Sequence, residues 1–212
     1  MSNFWVSIVV PHPVPKLSQL FIGQEIDYRK MQKSEWQIIE QTLGNIESSE
    51  LLRLIKKLYE LNEDNKRFLR VRYIKSKKSE QTLNSYKKAI EDALYPDVIH
   101  TSDEVNFIKA WKIISEYKIA KGDDRELADL MIFYVETANN FTLNYGDMWE
   151  GFYEELEDMF DKVIKHILSM KQQNKEIADL QDRLKAIVIS TQNIGWGYHD
   201  ALHDMYFDAF DE

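Results

Sequence analysis

Residues 126–138 read "ELADLMIFYVETA", and they decide the fold. On a helix turning about 100° per residue the run is apolar almost all round. The two acids within it, Asp129 and Glu136, are seven apart and share one narrow stripe. Such a helix is covered on nearly every side and belongs at the centre of a bundle.

The neighbouring stretches supply the cover. "SSELLRLIKKLYEL" (48–61) starts at a serine N-cap and aligns Leu51, Leu54, Ile55, Leu58 and Leu61. "SEQTLNSYKKAIEDAL" (79–94) repeats the pattern with Leu83, Tyr86, Ile90 and Ala93, and stops before Pro96. From Met148 to about Lys171, Trp149, Phe152, Tyr153, Leu156, Phe160, Val163 and Ile167 fall on one face. "KEIADLQDRLKAIVI" (175–189) follows a turn near residues 172–174. Upstream, residues 17–46 show helical spacing interrupted at Gly23 and ended near Gly44.

Three capping boxes are expected, at Thr101–Glu104, Asp123–Glu126 and Asp147–Glu150, because each puts a capping residue three positions before a glutamate. Gly122 reads as the left-handed terminator of "AWKIISEYKIAK" (110–121). The fold class is therefore all-α, a multi-helix bundle of about eight or nine helices. Residues 17–212 read as a single helical domain, with a second arrangement that divides it near 96–101, where Pro96 interrupts the pattern.

The first 16 residues differ. "FWVSIVV" (4–10) reads as a short extended apolar segment, and "PHPVP" (11–15) holds extended geometry after it. One strand cannot make a sheet, so Phe4, Trp5, Val6, Ile8 and Val10 are candidates for docking on a partner. No positive charge precedes this run, and it is too short for a signal-peptide core. Nothing later approaches the roughly 20 apolar residues of a membrane span. A cytoplasmic protein that does not enter membranes is expected. The chain has no cysteine, which removes disulfides, zinc–thiolate sites and thiol nucleophiles.

Charge is unevenly placed. Arg53 to Lys88 carries 12 Lys/Arg against 4 Asp/Glu, a local +8 within a net −9. The stretch 65–78 interleaves Lys66, Arg67, Arg70, Arg72, Lys75, Lys77 and Lys78 with Phe68 and Tyr73. Lysine and arginine suit phosphates, and aromatic rings suit unpaired bases, so nucleic acid or an acidic protein is a candidate partner. The cations scatter round the helix axis, however, as they do on a solvated or internally paired surface.

The closing "IGWGYHDALHDMYFDAFDE" (194–212) places His199 and His203 one turn apart. On a wheel, Asp200, Asp204, Asp208 and Asp211 fall within an arc of about 80°, and the histidines lie elsewhere among Trp196, Tyr206, Phe207 and Phe210. An i, i+4 histidine pair can hold a transition metal, with His166 and Glu136 as further candidate ligands. The simpler reading packs the histidines against the core and leaves the aspartates in solvent, with no cofactor expected.

The stretches "LIKKLYELNEDNKRFLRVRY", "YKKAIEDALYPD", "DLMIFYVETANNFTLNYGDMWEGFY" and "IGWGYHDALHDMY", taken in order, resemble an uncharacterised bacterial family defined only as a domain of unknown function. The resemblance spans roughly residues 52–206. It implies a stand-alone helical bacterial protein and lends no activity, cofactor or catalytic residue. The leading functional expectation is a non-enzymatic helical interaction protein, an accessory subunit or adaptor that binds a protein partner or itself. A metal-dependent hydrolase centred on the histidine pair and a nucleic-acid-binding subunit using residues 66–78 are the alternatives.

Overall fold

A computed structural model describes residues 35–74, 79–97, 99, 104–120 and 122–210. The expected extended segment 1–16, with its docking candidates Phe4, Trp5, Val6, Ile8 and Val10, lies outside them. Among the described residues there are nine helices and no strand. They are α1 (35–43), α2 Ser48–Leu61, α3 Glu63–Tyr73, α4 Ser79–Leu94, α5 Phe107–Ile119, α6 Asp124–Tyr145, α7 Glu150–Gln172, α8 Ala178–Ser190 and α9 Tyr198–Phe210. None is long and apolar enough to cross a membrane. The chain divides into two compact units, Met1–Lys57 and Leu58–Glu212. That division falls inside α2.

The core lies in the second unit, and α6 runs through it. Leu127, Ala128, Leu130, Met131, Ile132, Tyr134, Val135, Ala138 and Phe141 are all buried, so α6 packs against α4, α5, α7 and α8 at once. The helix is longer than "ELADLMIFYVETA" suggests, because the polar-looking "NNFTLNY" that follows continues it to Tyr145. Asn139 and Thr142 are tolerated inside because tertiary partners bond their side-chain oxygens, while Asn139 Nδ2 stays buried with no hydrogen-bond partner among the described residues. Asn139 Oδ1 accepts from Tyr198 Oη at 2.8 Å, and Thr142 Oγ1 bonds Tyr153 Oη at 2.8 Å.

The stripe left over on α6 carries its charges. Arg183 of α8 donates to Asp129 and, through Nε and Nη2 at 2.9 and 2.7 Å, to both oxygens of Glu136. Lys87 of α4 reaches the other oxygen of Asp129 at 2.6 Å and lies over the Phe133 ring between the two acids. The stripe is therefore a seam where α4 and α8 close over the central helix. Burial opposes the Arg183 charge, but its hydrogen bonds to Glu136 and Asp129 outweigh that and hold the guanidinium above its ordinary range.

Aromatic rings fill much of the rest. Phe152 touches Phe107, Phe141, Trp149 and Tyr153, with ring centroids 5.1–6.4 Å apart. Tyr153 continues the chain to Tyr198 at 4.9 Å. Most of these pairs are edge-to-face or tilted, the arrangement that ring quadrupoles favour.

Helix starts follow the expected chemistry at one of three sites. Asp123 caps α6, accepting from Arg125 N and Glu126 N. The box at residues 101–104 does not open α5. That helix starts three residues after Glu104, under Asn106, whose side chain accepts from Lys109 N. Residue 149 is the N-cap of α7 and makes no side-chain cap bond, so Asp147 is not a cap either. Gly122 is also corrected. The left-handed backbone belongs to Gly146 (φ 101°), which ends α6. At Gly122 a Cβ would come within 2.1 Å of the Tyr117 ring, so the position needs glycine for space, not for φ.

Candidate functional site

The four candidate metal ligands do not form one group. His166 Nε2 lies 2.8 Å from the Asp124 carbonyl at the start of α6. Glu136 is held in the Arg183 fork. His199 Nδ1 lies 3.1 Å from both the Val188 carbonyl and Thr191 Oγ1. Since a carbonyl only accepts, the proton belongs on Nδ1 there. His203 Nδ1 lies 3.3 Å from its neighbour Asp204. The two histidine rings are adjacent, with centroids 6.1 Å apart, but among the described residues no group of three or more His, Asp or Glu is placed to hold a metal ion.

The wheel also placed the histidines deeper than they lie. The buried stripe of α9 is Tyr198, Leu202 and Tyr206. His199 flanks it, and the His203 side chain is 49% exposed against the Phe207 ring. Asp200, Asp204 and Asp208 face solvent, as read.

Two cations of the basic stretch are engaged within the fold. Arg67 is half-buried where α3 meets α4, pairs with Asp64 and lies over the Tyr86 ring. Lys66 pairs with Glu63 at 2.5 Å. Arg70 and Arg72 are half-buried on α3. Lys75, Lys77 and Lys78 lie outside the described residues. Lys66 and Arg67 are thus engaged within the fold, while Arg70 and Arg72 keep part of their surface in solvent.

Two surfaces remain that are built of side chains normally kept from water. The first is α2. Its sequence is the most one-sided of the helices, yet none of its residues is buried. Leu51, Leu54, Ile55 and Leu58 occupy positions i, i+3, i+4 and i+7, and Leu61 extends the stripe by a turn. Ile55, Leu58 and Leu61 are all exposed, Leu61 at 72%. In α1, Trp36, Ile38 and Ile39 are exposed as well.

The second surface is the corner where α6 ends and α7 begins. Asp147 accepts from Tyr153 Oη at 2.5 Å and from Trp196 Nε1 at 3.2 Å. It thereby ties the α6–α7 connection to the loop between α8 and α9. That loop turns through two left-handed residues, Trp196 (φ 62°) and Gly197 (φ 73°). Trp196 is 57% exposed and Trp149, two residues from Asp147, is 58% exposed. Sequence reading missed this corner because it took Asp147 for a cap and Trp149 for a core residue. Its partners are 6 and 49 residues away, and no local pattern announces them. No family model, curated protein or solved structure matches the chain, so the functional reading rests on its own geometry.

Proposed function

We propose that the chain is a non-enzymatic helical interaction protein, an accessory subunit or adaptor, that docks α2 into an apolar groove of a protein partner. The observation that carries this reading is the apolar stripe of α2, in which Ile55, Leu58 and Leu61 are exposed and Leu51 and Leu54 half-buried among the described residues. Apolar anchors at i, i+3, i+4 and i+7 are the pattern of a helix laid into a groove. An uncovered row of large aliphatic side chains is costly in water, and marks an association surface when it is contiguous. Glu50, Arg53, Lys57 and Glu60 on the exposed remainder of the helix keep it soluble and set a polar rim.

The test is a double substitution, Ile55→Glu with Leu58→Glu. Both side chains are exposed, so the helical circular dichroism should stay unchanged. A tagged unaltered chain is expected to co-purify with a partner at a fixed stoichiometry, and the double variant to lose it. Equal capture by both chains, or an unaltered chain that sediments alone from its own cell extract, overturns the reading.

A further inference from the structure

We propose that the corner around Asp147 is a second docking surface, and that it takes a lysine- or arginine-bearing segment of a partner protein on the ring faces of Trp149 and Trp196. The inference goes beyond the α2 reading and stands on different residues.

Exposed tryptophans at one corner call for a partner, since this side chain supplies more binding energy than any other when it is covered. What the partner carries follows from charge. No lysine or arginine occurs between Glu126 and Asp161, nor anywhere after Lys185. Those two stretches meet at the corner, through the bond from Trp196 to Asp147 and through the packing of α9 on α7. Glu150 follows Trp149 directly, and Glu154 lies one turn further along the same exposed side of α7. Neither makes an ion pair among the described residues.

The surrounding carboxylates feel one another. Burial, then Asp158, raises the Glu155 carboxyl above its ordinary range, against Lys162, with Glu154 adding to the rise. Burial, then Glu154 and Asp158, does the same to Glu157. A cation brought to this face relieves repulsion that an anion would increase. Indole is the ring that best attracts a cation to its face. Neutral or acidic partners gain nothing from the carboxylates, so the surface selects for positive charge.

The corner is also preset. Asp147 fixes the Trp196 ring by its N–H, and Tyr153, itself buried, fixes Asp147. The rings therefore need little ordering when a partner arrives, which keeps the entropic cost of binding low.

The probe is a blocked nine-residue peptide alternating lysine with serine, beside its glutamate counterpart, titrated calorimetrically against the full chain at low and at moderate salt. The lysine peptide is expected to bind and the glutamate peptide not. Trp149→Leu and Trp196→Leu keep apolar bulk but remove the ring face. Each should weaken binding about threefold, and the pair about tenfold. Phenylalanine at both positions should restore part of the loss. Ile55→Glu on α2 should leave the affinity unchanged, which separates this surface from the proposed function. Unaltered near-ultraviolet circular dichroism outside the tryptophan bands and an unchanged melting temperature confirm that the variants fold. Equal binding by the leucine variants would mean a diffuse charge attraction with no docking surface. Absence of binding at low salt would overturn the proposal directly.

Discussion

Phe152→Ala should destabilise the second unit by about 4 kcal/mol, because it removes a large buried ring and leaves a cavity the neighbours cannot fill. Phe152 is fully buried and is the point where four other rings meet: Phe107 before α6, Phe141 on it, and Trp149 and Tyr153 around the start of α7. Collapse is hard here, since the surrounding aromatics are stiff and already hold one another in tilted and edge-on geometry. Phe152→Leu, which fills much of the space, should cost about 1.5 kcal/mol. Urea unfolding followed by far-ultraviolet circular dichroism measures both. Equal midpoints for the two variants, or a loss below about 1.5 kcal/mol in the alanine variant, would show that the aromatic cluster is not the packing centre.

Arg183→Met should cost about 2 kcal/mol, between the roughly 3–5 kcal/mol of a broken buried pair and the under 1 kcal/mol of an exposed one. The intermediate value follows from exposure, since Arg183 and Glu136 keep 31% and 30% of their side-chain surface and Asp129 keeps 18%. Methionine retains the packing of the aliphatic stem, so the loss reports the charge. Asp129 keeps Lys87 as a partner, but Glu136 is left half-buried with no second cation paired to it among the described residues. Adding Glu136→Gln to Arg183→Met should therefore recover part of the stability. A double-mutant cycle in urea reads the coupling directly, and an additive cycle would mean that the fork contributes nothing.

Those two substitutions also mark what could and could not be read from residues in order. The apolar run at 126–138 announced a central helix, and the Asp129–Glu136 spacing announced that its acids share one narrow stripe. Periodicity carries that information because burial acts on every third or fourth residue of the same segment. The cation that meets the stripe, Arg183, comes from 47 residues further on, and nothing in its own neighbourhood singles it out. The helix starts tell the same story locally. Thr101–Glu104 and Asp123–Glu126 satisfy one rule equally well, yet only the second opens a helix, since Asn106 lies closer to the apolar residues that α5 buries. Asn139 and Thr142 look like the end of α6 until their side-chain oxygens are seen to bond Tyr198 and Tyr153. His199 flanks the buried stripe of α9, whereas His203 is exposed beside Asp204. The width of the buried arc, which leaves His203 exposed, depends on how closely α7 and α8 approach and is invisible on a wheel.

The core is unusual in how much of it is phenolic. Tyr86, Tyr117, Tyr134, Tyr153 and Tyr198 are each at most 1% exposed, and burial drives every one of their hydroxyls above the ordinary tyrosine range. A phenol that resists ionisation when folded and ionises near pH 10 when unfolded stabilises the fold only up to that pH, and the support drains away as alkalinity rises further. The protein thus carries its own base-labile lock. The inner five are released together as the bundle opens in strong alkali, so the ultraviolet absorbance of phenolate reports the integrity of the interior with no added dye.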